Sequence, residues 1–495
     1  MKRFLKKTFL FSLGTFFSRI LGFVREIVFS YVFGASFFSD LFFACFRIPN
    51  LLRRLLAEGT LSFAYINVYS ELEKEKNEVE SLKLSSAFFN WILIITFTLY
   101  ILVLFFSNDI VSIMLKGFSD EKLLYASIIL KWVFPFIIFI SLGSIFSGFL
   151  NMKGSFFVPA VSSSFLNISL ILCVIFFYRE DYILMGKYLG ISVIIAGFVQ
   201  FLMLFYFSLK SGFEYFPILK NENLKKMFFY FIPGTFAMAI SQLNIIIDSF
   251  FASYLPDGGY SWLWYSNRIV QFPLAIFGVA MANVLTPYIA KNRGEKIVSE
   301  SLLKTLKYNS LLLIPITLGI MVYSQEFISL VFHRGKFTTY DVLNVSKLLF
   351  YYASGLWFFS ALKILTPVFY TLKKVYIPVL AGFITLIVNT ILNYILIKTM
   401  GASGLSLATV ISSVINFLIL IIFLGKIYRK INVLFILKII IISILYTGYL
   451  YLLKDFNLFF NIGSSVLVYY FLLKLFNIEE SEEIIQILKR KSMKN

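Results

Sequence analysis

Apolar runs of about 20 residues recur along almost the whole of this chain, each long enough to cross roughly 30 Å of hydrocarbon. In that solvent every backbone N–H and C=O must find its partner within the fold, so only helices or a closed barrel can span. Runs this long and without polar alternation read as helices. Length predicts about fourteen spans, near 8–33, 39–66, 84–106, 123–150, 157–178, 184–208, 227–254, 261–289, 306–323, 341–370, 376–397, 402–425, 432–452 and 457–476. Composition agrees, since a chain 59% hydrophobic and only 14% charged cannot cover itself with a polar surface. The net charge of +19 raises nucleic acid as a partner, but the basic residues sit in alternate short connections between spans. That is the positive-inside pattern, and it puts both termini in the cytoplasm with no nucleic-acid patch. Lys2, Arg3, Lys6 and Lys7 precede a first span without a small-residue cleavage site, so that span is expected to remain as an anchor.

Residue types exclude several chemistries. Cys45 and Cys173 lie in apolar spans and form no spaced pair, so neither a disulfide framework nor a cysteine metal site is expected. His333 is the only histidine, which argues against paired-histidine zinc sites and histidine acid–base catalysis. No phosphate-binding GxxxxGK[ST] loop occurs, so the chain does not hydrolyse ATP. The run Glu71–Lys83 and the acidic-then-basic tail from Glu479 read as solvated cytoplasmic helices with pairing at i,i+4.

The first two spans are unusual because they carry charge. Arg19, Arg25 and Glu26 lie in the first; Asp40, Arg47, Arg53, Arg54 and Glu58 lie in the second. At 100° per residue Asp40, Arg47 and Arg54 share one face with Glu58 a turn further on, and Arg19 shares a face with Glu26. Each such charge facing lipid would cost about 2.5–3.5 kcal/mol or more, so they face protein or water. Arginine outnumbers carboxylate, and an anion-binding cavity is the expected consequence; a purely structural ion-pair network is the competing account.

The chain also repeats itself. LGTF at Leu13–Phe16 returns as PGTF at Pro233–Phe236, and FSNDIVSIMLKGF at Phe106–Phe118 as YSQEFISLVFHRGKF at Tyr323–Phe337. NMKGSFFVP at Asn151–Pro159 returns as TLKKVYIP at Thr371–Pro378, and Met185-Gly186 as Met400-Gly401. All are separated by roughly 215–220 residues. Six spans per repeat is an even number, so both halves enter the membrane with the same orientation, a parallel repeat around a central cavity. The expected architecture is an all-α polytopic membrane protein. It has a six-helix lobe over 1–220, a second over 221–430, and two additional helices with a cytoplasmic tail over 431–495.

FSRILGFVRE, the turn from Gly34 to Asp40, PNLLRRLLAEG at Pro49–Gly59, NRIVQFPLAIFGVA at Asn267–Ala280 and HRGKFT at His333–Thr338 resemble the MurJ/MviN family. These are lipid II flippases of bacterial peptidoglycan synthesis, within the multidrug/oligosaccharidyl-lipid/polysaccharide exporter superfamily. The resemblance runs the length of the chain. It implies a monomer in the bacterial inner membrane that moves undecaprenyl-pyrophosphate-linked lipid II across the bilayer by alternating access. By the family pattern Ser18, Arg19, Arg25, Glu26, Asp40, Arg53, Glu58 and Arg268 match cavity positions, with guanidinium forks suited to phosphate oxygens. The last two spans match a groove-forming pair that would leave the lipid tail in the bilayer. Glu26 stands where many members have Asp, and Asn267 where many have Asp beside the arginine.

A second polar set lies in the later spans. Asp248, Asn389, Asn393 and Thr409 present oxygens at one estimated depth, which would suit a small hard cation or a lone Asp satisfied by hydrogen bonds. In some family members the matching positions resemble a sodium site, usually with a carboxylate where this chain has Asn393; no other cofactor is implied. Two further functions compete. A cation-coupled drug exporter of the same superfamily would favour an acidic cavity, whereas a membrane glycosyl- or acyltransferase needs a catalytic pair at a membrane face and a sizeable loop domain.

Overall fold

The computed structural model describes residues 2–56, 68–69, 71–72, 78–292, 294–425 and 433–483, and every regular element among them is helical. In chain order these are α1 (Lys2–Phe33), α2 (Phe37–Leu56), α3 (Glu78–Met114), α4 (Asp120–Val133), α5 (Phe136–Met152), α6 (Phe157–Ser162), α7 (Ser164–Phe177), α8 (Tyr182–Lys210) and α9 (Leu224–Ala252). They continue with α10 (Gly259–Pro273), a π-helical turn (Leu274–Val279), α11 (Ala280–Lys291), α12 (Glu295–Val322), α13 (Ser324–Phe332), α14 (Thr339–Ser354), α15 (Leu356–Thr371), α16 (Tyr376–Met400), α17 (Ala402–Leu424), α18 (Val433–Leu452) and α19 (Leu458–Leu475).

Local chemistry sets the boundaries. Ser119 caps α4 by accepting from the Lys122 amide, Asp181 caps α8 through the Leu184 amide at 2.6 Å, and Asn457 caps α19 through the Phe459 amide. Pro135 has no amide to continue the ladder, and α4 gives way to α5 there.

The sequence repeat has a structural counterpart in the breaks. Phe106 interrupts α3 with φ −106° and ψ 18°, and Tyr323, its partner in the repeat, separates α12 from α13 with φ −105° and ψ 27°. Pro135 divides α4 from α5, and Gly355 lies at the 45° bend between α14 and α15. Two interruptions at matched register are hard to obtain from unrelated apolar sequence. The α6–α7 break at Ser163 has no counterpart in the continuous α16.

The chain divides into two compact units. The first comprises Met1–Ser261 with Arg334–Thr338, the second Trp262–His333 with Thr339–Asn495. A core of the first gathers Phe88, Phe146, Phe149, Leu150, Leu204 and Met227 around the buried Tyr69. The second has two cores, one around Leu302, Ile364 and Phe369, the other where α18 and α19 pack on α12 through Ile442, Tyr446, Leu450 and Leu311.

Among the described residues, ten helical stretches are long and apolar enough to cross a membrane, and eleven with α14 and α15 taken as one bent span. Outside that set lie α1, α2 and α9, which the expected fourteen includes; of these, α1 and α2 carry charge at Arg19, Arg25, Glu26, Asp40, Arg47, Arg53 and Arg54. Contacts within the first unit nevertheless give these three helices two distinct ends. At one end Lys122 reaches Asp40 and Asp257, Lys336 reaches Tyr31 and Tyr178, and the Gly117 amide reaches Ser253. At the other, Glu78 meets Lys153, Asn221 meets Glu80 and Lys226 meets Glu71. Among the described residues these contacts gather the connections of the first unit at two ends.

That separation predicts opposite exposure of single cysteines placed in a background lacking Cys45 and Cys173. An impermeant thiol reagent should modify Arg334→Cys from one side of a sealed membrane and Glu78→Cys only from the other. Modification of both from the same side would overturn the arrangement.

Candidate functional site

Two buried ionic groups occupy the charged helices of the first unit. On α1, Arg25 and Glu26 are buried and paired with each other, and Arg25 Nη1 donates to Asn167 Oδ1 on α7 at 3.1 Å. Helical neighbours do not share a face, so the spacing argument matched Glu26 with Arg19 instead. The structure differs because Asn167 fixes one arm of the Arg25 guanidinium and leaves the other to fold back on Glu26. Asn167 Nδ2 donates to the Ser18 carbonyl at 3.2 Å, and the Ser18 hydroxyl lies 2.8 Å from that of Ser163. A single asparagine thereby brings Ser18 and Arg25 under common control. Arg19, one position along from Ser18, is exposed.

Asp40 begins α2 and is 1% exposed. Its Oδ2 accepts from Lys122 Nζ at 3.0 Å and from the Gly258 amide at 2.8 Å. Its Oδ1 accepts from the Ser261 amide at 2.8 Å and the Ser261 hydroxyl at 2.6 Å. Four donors saturate the carboxylate. Lys122 is itself buried, lies between the rings of Phe37 and Phe118, and extends a second bond of 2.8 Å to Asp257, whose side chain is largely exposed. Three elements meet on this cluster: the start of α2, the start of α4 and the α9–α10 turn.

Further along α2, Arg47 is half-buried, donates to the Ser249 hydroxyl at 3.0 Å and lies 4.9 Å from the Tyr260 ring centre. Tyr260, buried, adds its own hydroxyl bond to Ser249. Arg53 is half-buried and Arg54 exposed, while Glu58 lies outside the described residues, as do 57–67 at the end of that span, 73–77 and the basic tail from 484. In the second unit Arg268 stacks on Trp264 at 4.5 Å and approaches Gln271 Oε1 at 3.5 Å, and Gln271 donates to Asn267. The amide pair Asn267–Gln271 thus stands beside the arginine, at the position where the family pattern often has Asp.

From Leu13 to Leu56 the charged helices hold Arg19, Arg25, Arg47, Arg53 and Arg54 against only Glu26 and Asp40. Asp40 is moreover taken by a lysine from α4, leaving a surplus of guanidinium on this helix pair. Planar, permanently charged forks offering parallel donors suit phosphate or carboxylate oxygens.

Of the cation set, Asp248 is half-buried in the first unit. In the second, Asn389 and Asn393 are buried on α16, with Asn393 Nδ2 donating to Asn389 Oδ1 at 2.9 Å, and Thr409 on α17 donates to the Leu405 carbonyl. Among the described residues no group of three or more His, Cys, Asp or Glu could hold a metal.

Asn167 and Lys122 escaped the sequence reading. Asn167 is an isolated amide in an apolar span, a signal that could have been followed; Lys122 sits just past a serine cap in a short connection and reads as solvated.

A family model described as lipid II flippase MurJ matches residues 29–471. A probable lipid II flippase MurJ of Buchnera aphidicola subsp. Acyrthosiphon pisum is 36% identical over 476 residues, covering 92% of this chain and 91% of the relative. The corresponding Thermotoga maritima protein is 33% identical over 489 residues, with 97% and 98% covered. Among solved structures, a lipid II flippase MurJ in an inward closed conformation superposes with a TM-score of 0.83 at 29% identity, over 96% of this chain and all of that one. An inward-facing multidrug resistance MATE transporter of the MOP superfamily shares the fold at a TM-score of 0.69 and 12% identity, over 83% of this chain and 96% of its own.

The Asp40–Lys122 pair generates a stability prediction. Lys122→Ala leaves a buried carboxylate without its counter-charge and should cost about 3–5 kcal/mol, read as a large fall in thermal unfolding temperature in detergent. Asp40→Asn with Lys122→Met should recover much of that loss, because the charges are then removed together. A single mutant as stable as the parent would show that the pair does not hold these elements.

Proposed function

The chain belongs to the lipid II flippase MurJ family, and on that premise we propose that it moves lipid II from the cytoplasmic to the outer leaflet of the bacterial inner membrane by alternating access, for cell-wall synthesis. It acts as a multi-pass monomer with both termini in the cytoplasm, and it translocates its substrate without transforming it. The observation that carries the reading beyond family membership is the arginine surplus of the first two spans, five guanidinium groups against three carboxylates, Glu26, Asp40 and Glu58. A pyrophosphate-linked lipid supplies the missing negative charge. A cationic drug would add to the surplus, which disfavours the exporter alternative.

Arg19, Arg25 and Arg53 of the first unit and Arg268 of the second are the proposed pyrophosphate contacts, with Ser18, Glu26, Asp40 and Glu58 orienting them or the chain around them. The buried Arg25 already spends one arm on Asn167 and one on Glu26, so its contribution requires exchange of a partner, whereas the exposed Arg19 requires none. Asp248, Asn389, Asn393 and Thr409 are the residues that would hold a sodium ion, which would supply positive charge and a link to the ion gradient.

The first test is rescue of lipid II export in cells depleted of their own flippase; failure despite correct membrane insertion would overturn the reading. Purified, stably folded Arg19→Ala, Arg53→Ala and Arg268→Ala variants should each bind lipid II roughly ten- to a hundred-fold more weakly, since a charge-assisted hydrogen bond is worth about 1.5–3 kcal/mol. Lysine should restore part of that, keeping charge without the planar fork. Parental affinity in the alanine variants would remove the pyrophosphate site.

Separately, Asp248→Asn should reduce transport and its dependence on sodium, because the carboxylate is the only charged oxygen of that set. Unchanged flux, indifferent to sodium in both proteins, would eliminate the cation site.

A further inference from the structure

A helix in lipid gains little from apolar contact with its neighbours, because hydrocarbon tails are as apolar as the side chains they replace. In the second unit α19 shows the consequence. Phe459, Val466, Leu467 and Phe471 are exposed, and the helix buries a stripe running from Asn461 through Ser465 and Tyr469 to Leu472 and Leu473. At the end where α19 begins, polar bonds fix the hairpin it forms with α18. Tyr323, just past α12, donates its hydroxyl to the Leu450 carbonyl at 2.8 Å, and Asn461 Nδ2 donates to the Leu453 and Phe456 carbonyls at 2.7 and 3.2 Å. What holds the opposite end of α19 lies beyond the helix itself.

There the backbone turns the chain sharply. Asn477 is left-handed, with φ +49°, a conformation asparagine tolerates better than most residues. Its amide donates to the Lys474 carbonyl at 3.1 Å and the Ile478 amide to the Leu473 carbonyl at 3.1 Å. This pair of bonds satisfies carbonyls of the last turn and brings Ile478 against Leu473. Ile478 is 3% exposed and shares a core with Leu473, Tyr446 and Leu311. A helical turn follows over 479–483. Glu480 and Glu483 share a face of it, as Lys304, Lys307 and Tyr308 share a face of α12 by the same spacing. Lys307 pairs with Glu480, Lys304 with Glu483 at 2.7 Å, and the Tyr308 hydroxyl also donates to Glu483. From α18, the Phe435 ring lies 5.0 Å from the Lys307 ammonium, and Lys438 donates to the Asn477 carbonyl at 3.4 Å.

We propose that Ile478–Glu483 is an ionic strap: it holds the final turns of α19 to α12, and releases them when its two glutamates lose their charge or their lysine partners. Every element involved belongs to the second unit, and the strap operates whatever the protein carries, so the inference goes beyond the transport reading. Its apolar part, Ile478, can exchange protein contact for lipid at little cost, whereas hydrocarbon offers Glu480 and Glu483 no counter-charge. The two pairs contribute unequally. The side chains of Lys307 and Glu480 are 28% and 15% exposed, against 52% and 47% for Lys304 and Glu483. Water screens the second pair more, so the first carries more of the hold. Partial exposure also makes the strap sensitive to ionic strength.

Two measurements on the full chain in nanodiscs of uncharged phosphatidylcholine test this. In amide hydrogen exchange, Glu480→Gln with Glu483→Gln should speed exchange at Ile478 and Ser481 roughly tenfold. Raising potassium chloride from about 0.05 to about 0.5 M should speed it in the parent and leave the glutamine variant unchanged. Lys304→Glu with Lys307→Glu should act like the glutamine variant, and adding Glu480→Lys and Glu483→Lys to it should restore slow exchange, a rescue that separates loss of the strap from loss of the fold. Parental exchange in the glutamine variant, a parent indifferent to salt, or no rescue by the swap would overturn the proposal. In the second measurement, spin labels at Ile297→Cys on α12 and Leu475→Cys on α19, in a background without Cys45 and Cys173, report the distance between the two helices. One narrow distribution is expected with the glutamates present, and an added longer population with glutamine in their place. Faster exchange with an unchanged distance distribution would show that the tail frays without holding α19, and would refute the strap.

Discussion

A carboxylate at the apolar end of a helix cannot remain there without donors, and Asp40 has four of them. Meeting that requirement organises the surrounding structure. It draws a lysine from α4 into a buried position, pulls two amides and a hydroxyl of the α9–α10 turn onto α2, and so joins segments more than two hundred residues apart in the chain. Neutral residues at the same places would pack without specifying which turn meets which helix. The pair buys register at a desolvation cost, which is the best-attested use of buried charge.

Lys122 removes one of the two carboxylates of α1 and α2 from any role in balancing their arginines, and Arg25 occupies the other. The surplus of guanidinium therefore follows from structural pairing as well as from composition.

The internal repeat extends to backbone detail. Phe106 and Tyr323 interrupt their helices with nearly the same dihedral angles, and Pro135 and Gly355 mark breaks one repeat apart through different chemistry, one by lacking an amide, the other by lacking a side chain. What the repeat preserves is a place to bend. The halves have diverged in charge, which is where a transporter needs them to differ: the arginine-rich helices occur in the first repeat only.

The amino-acid sequence by itself determined the solvent, the helical class, the repeat and the family, because each depends on patterns of apolarity or on motifs that survive without coordinates. It also picked out Arg25, Glu26 and Asp40 as charges needing partners. The partners themselves came only from the tertiary structure. Glu26 shares a face with Arg19 by helical period, yet it pairs with Arg25, whose other arm is held by Asn167 on α7. Lys122 reads as a loop cation and is buried, because its destination is set by Asp40 and by two phenylalanine rings. The HRGKFT segment identifies the family by its letters, yet its packing depends on two left-handed glycines far apart in the chain, Gly34 leaving room for the Lys336 carbonyl and Gly335 for that of Tyr31. Period and hydropathy are local properties, whereas ionic pairing inside a membrane protein is decided by whichever donor the packing delivers.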